Sequence, residues 1–362
     1  MDKVVKQIHD LAGGVHGRIL KGAKPGMRIP VRSLSNVTYS LRKGYLELKK
    51  ARIERTLTVN TVKTFAQTLR MMALSKMHIE NGKHSSKREA YYISKNWGDA
   101  RFAEQTESDA IMDDVEAMLG VNREQIHFRA DEHGGSVAGE LIVIDRDRKT
   151  GRKIEIDCAR FGSGSYTVPS VVEHLEFRTK AKFVLCIETS GTFERLVEEG
   201  YAPKAHCILV AMGGVPSRAC RRFVRRLADD HKLPVYVFTD GDPYGYFNIY
   251  RTLKVGSGNA AHLNRFFCVP QARFLGVTPQ DIQTFDLKDC THPLQPTDIK
   301  RANDALKNDP FVKHHKEWQE AIHLMLKMGK RVEQQAFAKH GLDYVVSRYL
   351  PEKLKGRSKF LP

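Results

Sequence analysis

An apolar run ends in two aspartates, Asp240 and Asp242, with one glycine between them, in PVYVFTDGDPYGY (residues 234–246). A strand that stops at such a pair presents carboxylates side by side at its C-terminal end, where open α/β sheets hold ligands. Oxygen donors of this kind suit Mg²⁺. An earlier run, KFVLCIETSG (182–191), ends in the same way at Glu188. In a parallel sheet the C-terminal strand ends line one rim, so the three carboxylates converge if their strands are neighbours. Mg²⁺ held there would neutralise a phosphate and stabilise a leaving oxygen. Each acid also has a plainer reading. Glu188 could be an ion-pair partner, Asp240 could shape the turn, and Asp242 could cap the next helix with Pro243 at its first position. The D-G-D spacing behind a strand, with another strand-end acid before it, favours the metal.

A third cluster, SSKREAYYISKNW (85–97), places Arg88 four residues before Tyr92. A phenol is a poor nucleophile at neutral pH and needs a cation, base or metal to help it lose its proton. Arg88, one helical turn earlier, can face the same side and offer a bidentate contact to phosphate. Against this, adjacent tyrosines on a helix usually pack, with one tip meeting water. Farther on, Arg218, Arg221, Arg222, Arg225 and Arg226 recur at i, i+3, i+4, i+7 and i+8 and share one helix face. Such a face is either solvated or compensated by an anion, and DNA phosphate is one candidate.

The elements that must position these groups follow from composition and periodicity. The chain has 362 residues, 41% hydrophobic and 28% charged, which fits a globular protein of two or three domains. Its net charge of +17 is segregated. Residues 1–100 carry 20 Lys and Arg against 7 Asp and Glu, and residues 351–362 carry 4 against 1. That segregation favours a polyanion partner, DNA or RNA. No apolar run reaches membrane-spanning length, and MDKVVKQIHD lacks the apolar core of a signal peptide, so a cytoplasmic protein with no membrane partner is expected. The six cysteines form no C-x-x-C pair and read as reduced core residues.

Four regions follow. Residues 1–55 are a basic, glycine-containing extension in which VVKQIHDL can form a short helix and the rest orders only on a neighbour or on nucleic acid. Residues 56–160 read as three helices and then a hairpin, ELIVID and KIEID around RDRKTGR. That order is either a winged helix or a small α+β domain with no nucleic-acid role. Residues 161–176 read as a linker and a return into structure, with Gly162, Gly164 and Pro169 breaking regular elements. Residues 177–362 alternate strands (KFVLCIE, AHCILVAM, PVYVFTD, RFFCVP) with helices, which predicts a Rossmann-like parallel sheet, and then turn helical, with an amphipathic stretch at AIHLMLKMGKRVEQQAF. There is no P-loop pattern, so any ATP requirement belongs to another chain.

The segments REAYYISKNWGDARFAEQTESDAIMDDVE, KFVLCIETSGTFERL and TDGDPYGY, in that order, resemble the A subunits of archaeal DNA topoisomerase VI, with the eukaryotic meiotic double-strand-break transesterases as relatives. The resemblance covers residues 60–350. It implies a multidomain α/β protein with a winged-helix (CAP-like) domain carrying the nucleophile Tyr92 beside Arg88, and a Toprim domain binding Mg²⁺ through Glu188, Asp240 and Asp242. It further implies a 5′-phosphotyrosyl link, a homodimer cutting double-stranded DNA, and an A2B2 assembly whose B subunit uses ATP, associated with the nucleoid. The residues by themselves leave two other readings open. One is a Toprim-type Mg²⁺-dependent nuclease acting through water. The other is a non-catalytic DNA-binding or scaffold protein.

Overall fold

The computed structural model describes residues 2–129, 134–147, 149–356 and 360–362. Arg148 of the expected hairpin turn, and Arg357 and Lys359 of the basic C-terminal segment, lie outside them. Two compact units emerge: Met1–Thr38, Leu46–Glu132 and Ser257–Phe266 form the first, and Tyr39–Tyr45, His133–Gly256 and Phe267–Pro362 the second.

The first unit begins with α1 (Lys3–Leu20), capped by the Asp2 side chain, which accepts from the Val4 and Val5 amides. The short helix expected at VVKQIHDL is present in α1, which runs on to Leu20, and the rest of 1–55, expected to order only on a neighbour or on nucleic acid, folds into four short strands of this chain. Val4, Ile8 and Val15 are buried with Phe65, Met72, Ile111, Val115 and Phe128. The helix runs through Gly13, Gly14 and Gly17. A helical glycine costs about 1 kcal/mol relative to alanine. Burying one Val or Ile returns roughly 1.5–3 kcal/mol, so the apolar stripe wins. β1 (Gly26–Pro30) pairs antiparallel with β4 (Arg52–Thr56); between them in sequence come β2 (Val37–Ser40) and β3 (Tyr45–Leu48). The expected three helices follow: α2 (Val62–Glu80), α3 (Lys87–Ile93) and α4 (Gln105–Leu119). Phe65 and Met72 of α2 are buried, whereas Val62 is exposed. β5 (Ser85–Ser86) pairs in parallel with β6 (Phe128–Arg129), which anchors the entry to α3.

In the second unit β7 (Ser136–Gly139) precedes the expected hairpin of β8 (Leu141–Arg146) and β9 (Lys153–Asp157), registered Ile144↔Glu155. This hairpin does not join α2–α4. It clusters with the second unit, where β11 (Glu176–Thr179) pairs with β8 to complete a three-stranded sheet. Within 161–176 the chain returns into structure early. β10 (Tyr166–Thr167) pairs with β7, and Tyr166, Val168, Val172 and Leu175 are buried. Glycines and a proline broke the periodicity there without removing the apolar anchors.

The main sheet takes the order β10-β7-β13-β12-β14-β15. β12 (Phe183–Ile187), β13 (Cys207–Ala211), β14 (Val235–Phe238) and β15 (Arg273–Gly276) are parallel, while β7 and β10 extend one edge antiparallel, so the sheet is mixed. β12, β13 and β14 are buried at every position, as expected of strands covered on both faces. The fourth parallel strand was expected at RFFCVP, but Asn264–Phe267 is helical and RFLG forms β15 instead. A short apolar run does not distinguish a strand from a buried helix. α5 (Ser190–Glu198), α6 (Tyr201–Ala205) and α7 (Arg218–Asp230) connect the strands. The helical C-terminal region includes Pro296–Asn308 and Lys316–Met328. The amphipathic stretch expected across 321–337 stops at Gly329, whose left-handed φ of 61° ends the helix. The chain then turns into β17 (Lys330–Val332), which pairs with β16 (Thr291–Pro293). Among the described residues no helix is long and apolar enough to cross a membrane. The six cysteines are free thiols, five of them buried.

Candidate active site

The acids meet because β12 and β14 are neighbours. Their parallel register, Ile187↔Phe238, brings the residues after each strand side by side. The Asp240 amide donates to Glu188 Oε2 at 2.9 Å. Asp240 Oδ1 accepts from the Gln334 amide at 2.8 Å, and Asp242 Oδ1 from the Gly245 amide at 2.6 Å. The helix-cap reading of Asp242 is thus realised, and it occupies one oxygen while Oδ2 faces Arg331 at 3.8 Å. Gly241 is a close-approach glycine, since a Cβ would lie 2.8 Å from Val332 Cγ1.

Electrostatically this rim is an acid cluster short of positive charge. Burial, then the neighbouring Asp240 charge, pushes Glu188 up to about 8. Burial also raises Asp240, to about 6, with Asp242 and Glu333 adding to the effect and Arg331 opposing it. Asp242 is raised by burial and by Asp298. Removing these groups from water and crowding like charges favours protonation or a cation. Among the described residues no three His, Cys, Asp or Glu side chains already form a metal cage. The donor set nonetheless fits a hard divalent ion: oxygen ligands only, on rigid strand ends, with Glu188 and Asp240 adjacent.

Tyr92 and Arg88 lie on α3 in the first unit. Ser86 and Glu89 form a capping box: the Glu89 amide donates to Ser86 Oγ at 3.1 Å and the Ser86 amide to Glu89 Oε2 at 2.6 Å. The two tyrosines part company here. Tyr91 packs and donates its hydroxyl to the Ala103 carbonyl at 3.1 Å, whereas Tyr92 is 56% exposed. Arg88 is exposed as well.

The arginine face of α7, expected to be solvated or to meet phosphate, has partners within the chain. Arg222 grips both oxygens of Glu173 at 2.8 Å. Arg225 pairs with Asp229 and bonds the Cys268 carbonyl, and Arg226 pairs with Asp230 and bonds the Val172 carbonyl. Arg218 and Arg221 lie over the Phe267 ring, 4.9 and 5.5 Å from its centroid. All five are half-buried.

Sequence reasoning missed Gln334 and Arg331. Gln334 is buried and also donates through Nε2 to the Phe238 carbonyl at 3.0 Å, which steadies the strand end that carries Asp240. Its one available signal was Gly329, a break after which the amphipathic period had no reason to continue.

Comparison with known proteins places these elements. Residues 183–354 match the family described as the Toprim domain of topoisomerase 6 A subunits and Spo11. Residues 63–128 match the family described as type IIB DNA topoisomerase, and 131–181 match the all-beta domain of the DNA topoisomerase VI alpha chain. The chain is 50% identical to the A subunit of the type 2 DNA topoisomerase 6 of Methanocaldococcus jannaschii over 361 residues, 99% of this chain and 97% of that one. It is 39% identical to its counterpart in Pyrococcus abyssi (99% and 96% covered) and 37% identical to that of Halobacterium salinarum (96% and 94%).

Proposed function

This chain belongs to the family of type 2 DNA topoisomerase 6 A subunits, and we propose that it cuts and reseals duplex DNA through Tyr92, with Glu188, Asp240 and Asp242 holding Mg²⁺. The observation that carries the reading is the Asp240–Glu188 contact at 2.9 Å, which unites two acids 52 residues apart at neighbouring strand ends. Tyr92, exposed on a capped helix, attacks a backbone phosphorus. The new P–O bond links it to the 5′ end as the bond to the 3′ oxygen breaks. Arg88 lies one turn away and offsets charge on the phosphate oxygens. Mg²⁺, when bound, supplies positive charge near the leaving oxygen. The phosphotyrosyl bond conserves the energy of the broken linkage, so the 3′ hydroxyl can attack it and restore the strand.

One tyrosine cuts one strand, so a double-strand break calls for two copies, and a symmetric dimer matches the two-fold relation of the duplex. In that dimer Tyr92 of one copy works with the acids of the other, and an ATPase B subunit completes A2B2. α2–α4 act as a winged-helix-type DNA-docking unit. The β1–β4 ribbon, tied to α4 by Arg55–Asp114 at 2.7 Å, takes the wing's place in that unit. The basic residues of 1–100 meet DNA, with the assembly at work on the nucleoid.

The test is Tyr92→Phe in the presence of the B subunit. The expected result is no relaxation of supercoiled DNA and no protein on DNA 5′ ends after a denaturant quench, with DNA still bound. Relaxation at the wild-type rate overturns the nucleophile. Free ends from the wild-type protein would instead favour hydrolysis by water. Unchanged activity in Asp240→Ala and Asp242→Ala would reduce the chain to a DNA-binding scaffold.

A further inference from the structure

β17 reaches the acids by main-chain contact. The Gly241 amide donates to the Val332 carbonyl at 2.8 Å, and the Val332 amide returns to the Gly241 carbonyl at 3.3 Å. Arg331 is therefore one residue away from a bridge to the glycine between the two aspartates, and its guanidinium is delivered to them. It makes poor use of that position. Nη1 stands 3.8 Å from Asp242 Oδ2, and Nε 4.0 Å from Asp298 Oδ2. Both distances are ionic attraction beyond hydrogen-bond reach. Nε is shut off from solvent without a hydrogen-bond partner among the described residues. The side chain as a whole remains 31% exposed, so it has an open side. Asp298 is engaged elsewhere: its Oδ2 accepts from the Gln295 amide at 3.0 Å, and Arg301 lies 3.8 Å from its Oδ1. Arg301 in turn lies over the Tyr244 ring, 5.3 Å from its centroid.

A guanidinium has five donors in a rigid fork, and leaving a buried one unmet is unfavourable. Here the fork faces carboxylates and bonds neither of them. A planar anion with two free oxygens would satisfy it, and DNA phosphate likewise offers two free oxygens. We propose that Arg331 is a further catalytic residue. It balances Asp242 in the resting chain and, once a divalent ion has taken that carboxylate, gives its fork to a phosphate oxygen of the DNA at the breakage site. The proposal rests on the reading of Glu188, Asp240 and Asp242 as cation ligands. On that reading Arg331 and Arg88 differ in kind. Arg88 travels with the nucleophile on α3, and Arg331 with the acids. Charge developing on the phosphate is then met by a donor from each side of the chemistry.

The test uses the full-length chain with Arg331→Met, which keeps an apolar stem and removes the charge, and Arg331→Lys, which keeps the charge without the fork. Thermal melting establishes that each variant is folded. Mn²⁺ titration without DNA is expected to show tighter binding in Arg331→Met, by about tenfold for the loss of one adjacent positive charge. Duplex binding with Mn²⁺ present is expected to show a slope of log K against log salt shallower by about 0.9, the value for one lost phosphate contact. With the B subunit, covalent cleavage complexes fall about 10²-fold in both variants, because lysine lacks the bidentate fork. An unchanged Mn²⁺ affinity or an unchanged salt slope in Arg331→Met overturns the proposal. Asp242→Asn separates the two layers. If it weakens Mn²⁺ binding while Arg331→Met does nothing, Arg331 alone loses its role. If Asp242→Asn also leaves Mn²⁺ affinity unchanged, the cation reading has failed first.

Discussion

Tyr91 and Tyr92 are the same side chain one position apart, and their surroundings differ. The hydroxyl of Tyr91 is bonded to Ala103, and the Lys95 ammonium lies 4.1 Å above its ring, whereas Tyr92 is presented to solvent. At the acid rim the same scale sets a pH dependence. Glu188 and Asp240 sit at about 8 and about 6, above their ordinary 4.5 and 3.8. The folded chain without metal therefore holds these protons more tightly than the unfolded chain does. Their contribution to stability is complete below about pH 4 and declines as the pH rises toward 8. Denaturation of the metal-free protein across that range is expected to show this decline, and Glu188→Gln to flatten its upper part. Because a bound cation must displace the same protons, Mn²⁺ affinity is expected to tighten from pH 6 to 8.

At the scale of elements, α3 is the vulnerable piece. It has 7 residues, too few to persist alone, and it depends on its cap and on the β5–β6 pairing. Ser86→Ala removes one half of the capping box and is expected to destabilise by about 1 kcal/mol. Its larger effect should fall on cleavage, because Tyr92 and Arg88 ride on this helix. The expected result is slower formation of covalent complexes at near-normal DNA affinity, with a denaturation curve measured alongside. Wild-type cleavage from a destabilised Ser86→Ala protein would mean that DNA itself orders α3. α7 teaches the opposite lesson. A row of arginines whose spacing suggests a DNA face also has internal partners, Glu173 held by Arg222 among them.

At the scale of the molecule, Tyr92 belongs to the first unit and the three acids to the second. On the proposed reading a double cut depends on two complete sets. Mixing wild-type protein with Tyr92→Phe protein under conditions that exchange protomers is expected to convert double-strand breaks into nicks, one per mixed dimer. Gel analysis of plasmid topology after a denaturant quench reads this directly. Mixed dimers that still linearise DNA would show that one tyrosine serves both strands. The net charge of +17, concentrated in residues 1–100, supplies the long-range attraction, so association should slow steeply with salt.

Local chemistry was legible in the residues. The apolar runs of β12, β13 and β14 and the acids behind two of them depend on neighbours a few positions away. Which strands stand side by side does not. In sequence β13 falls between β12 and β14, yet in the sheet β12 is the middle strand, and that exchange alone puts Glu188 against Asp240. The same long-range pairing assigned the β8–β9 hairpin to the second unit, gave the α7 arginines internal partners, and set Arg331 and Gln334 around the aspartates. Periodicity and spacing report the preferences of a segment. Partners about 50 to 90 residues apart are chosen by burial and hydrogen bonding summed over the whole chain, and only the folded structure carries that sum.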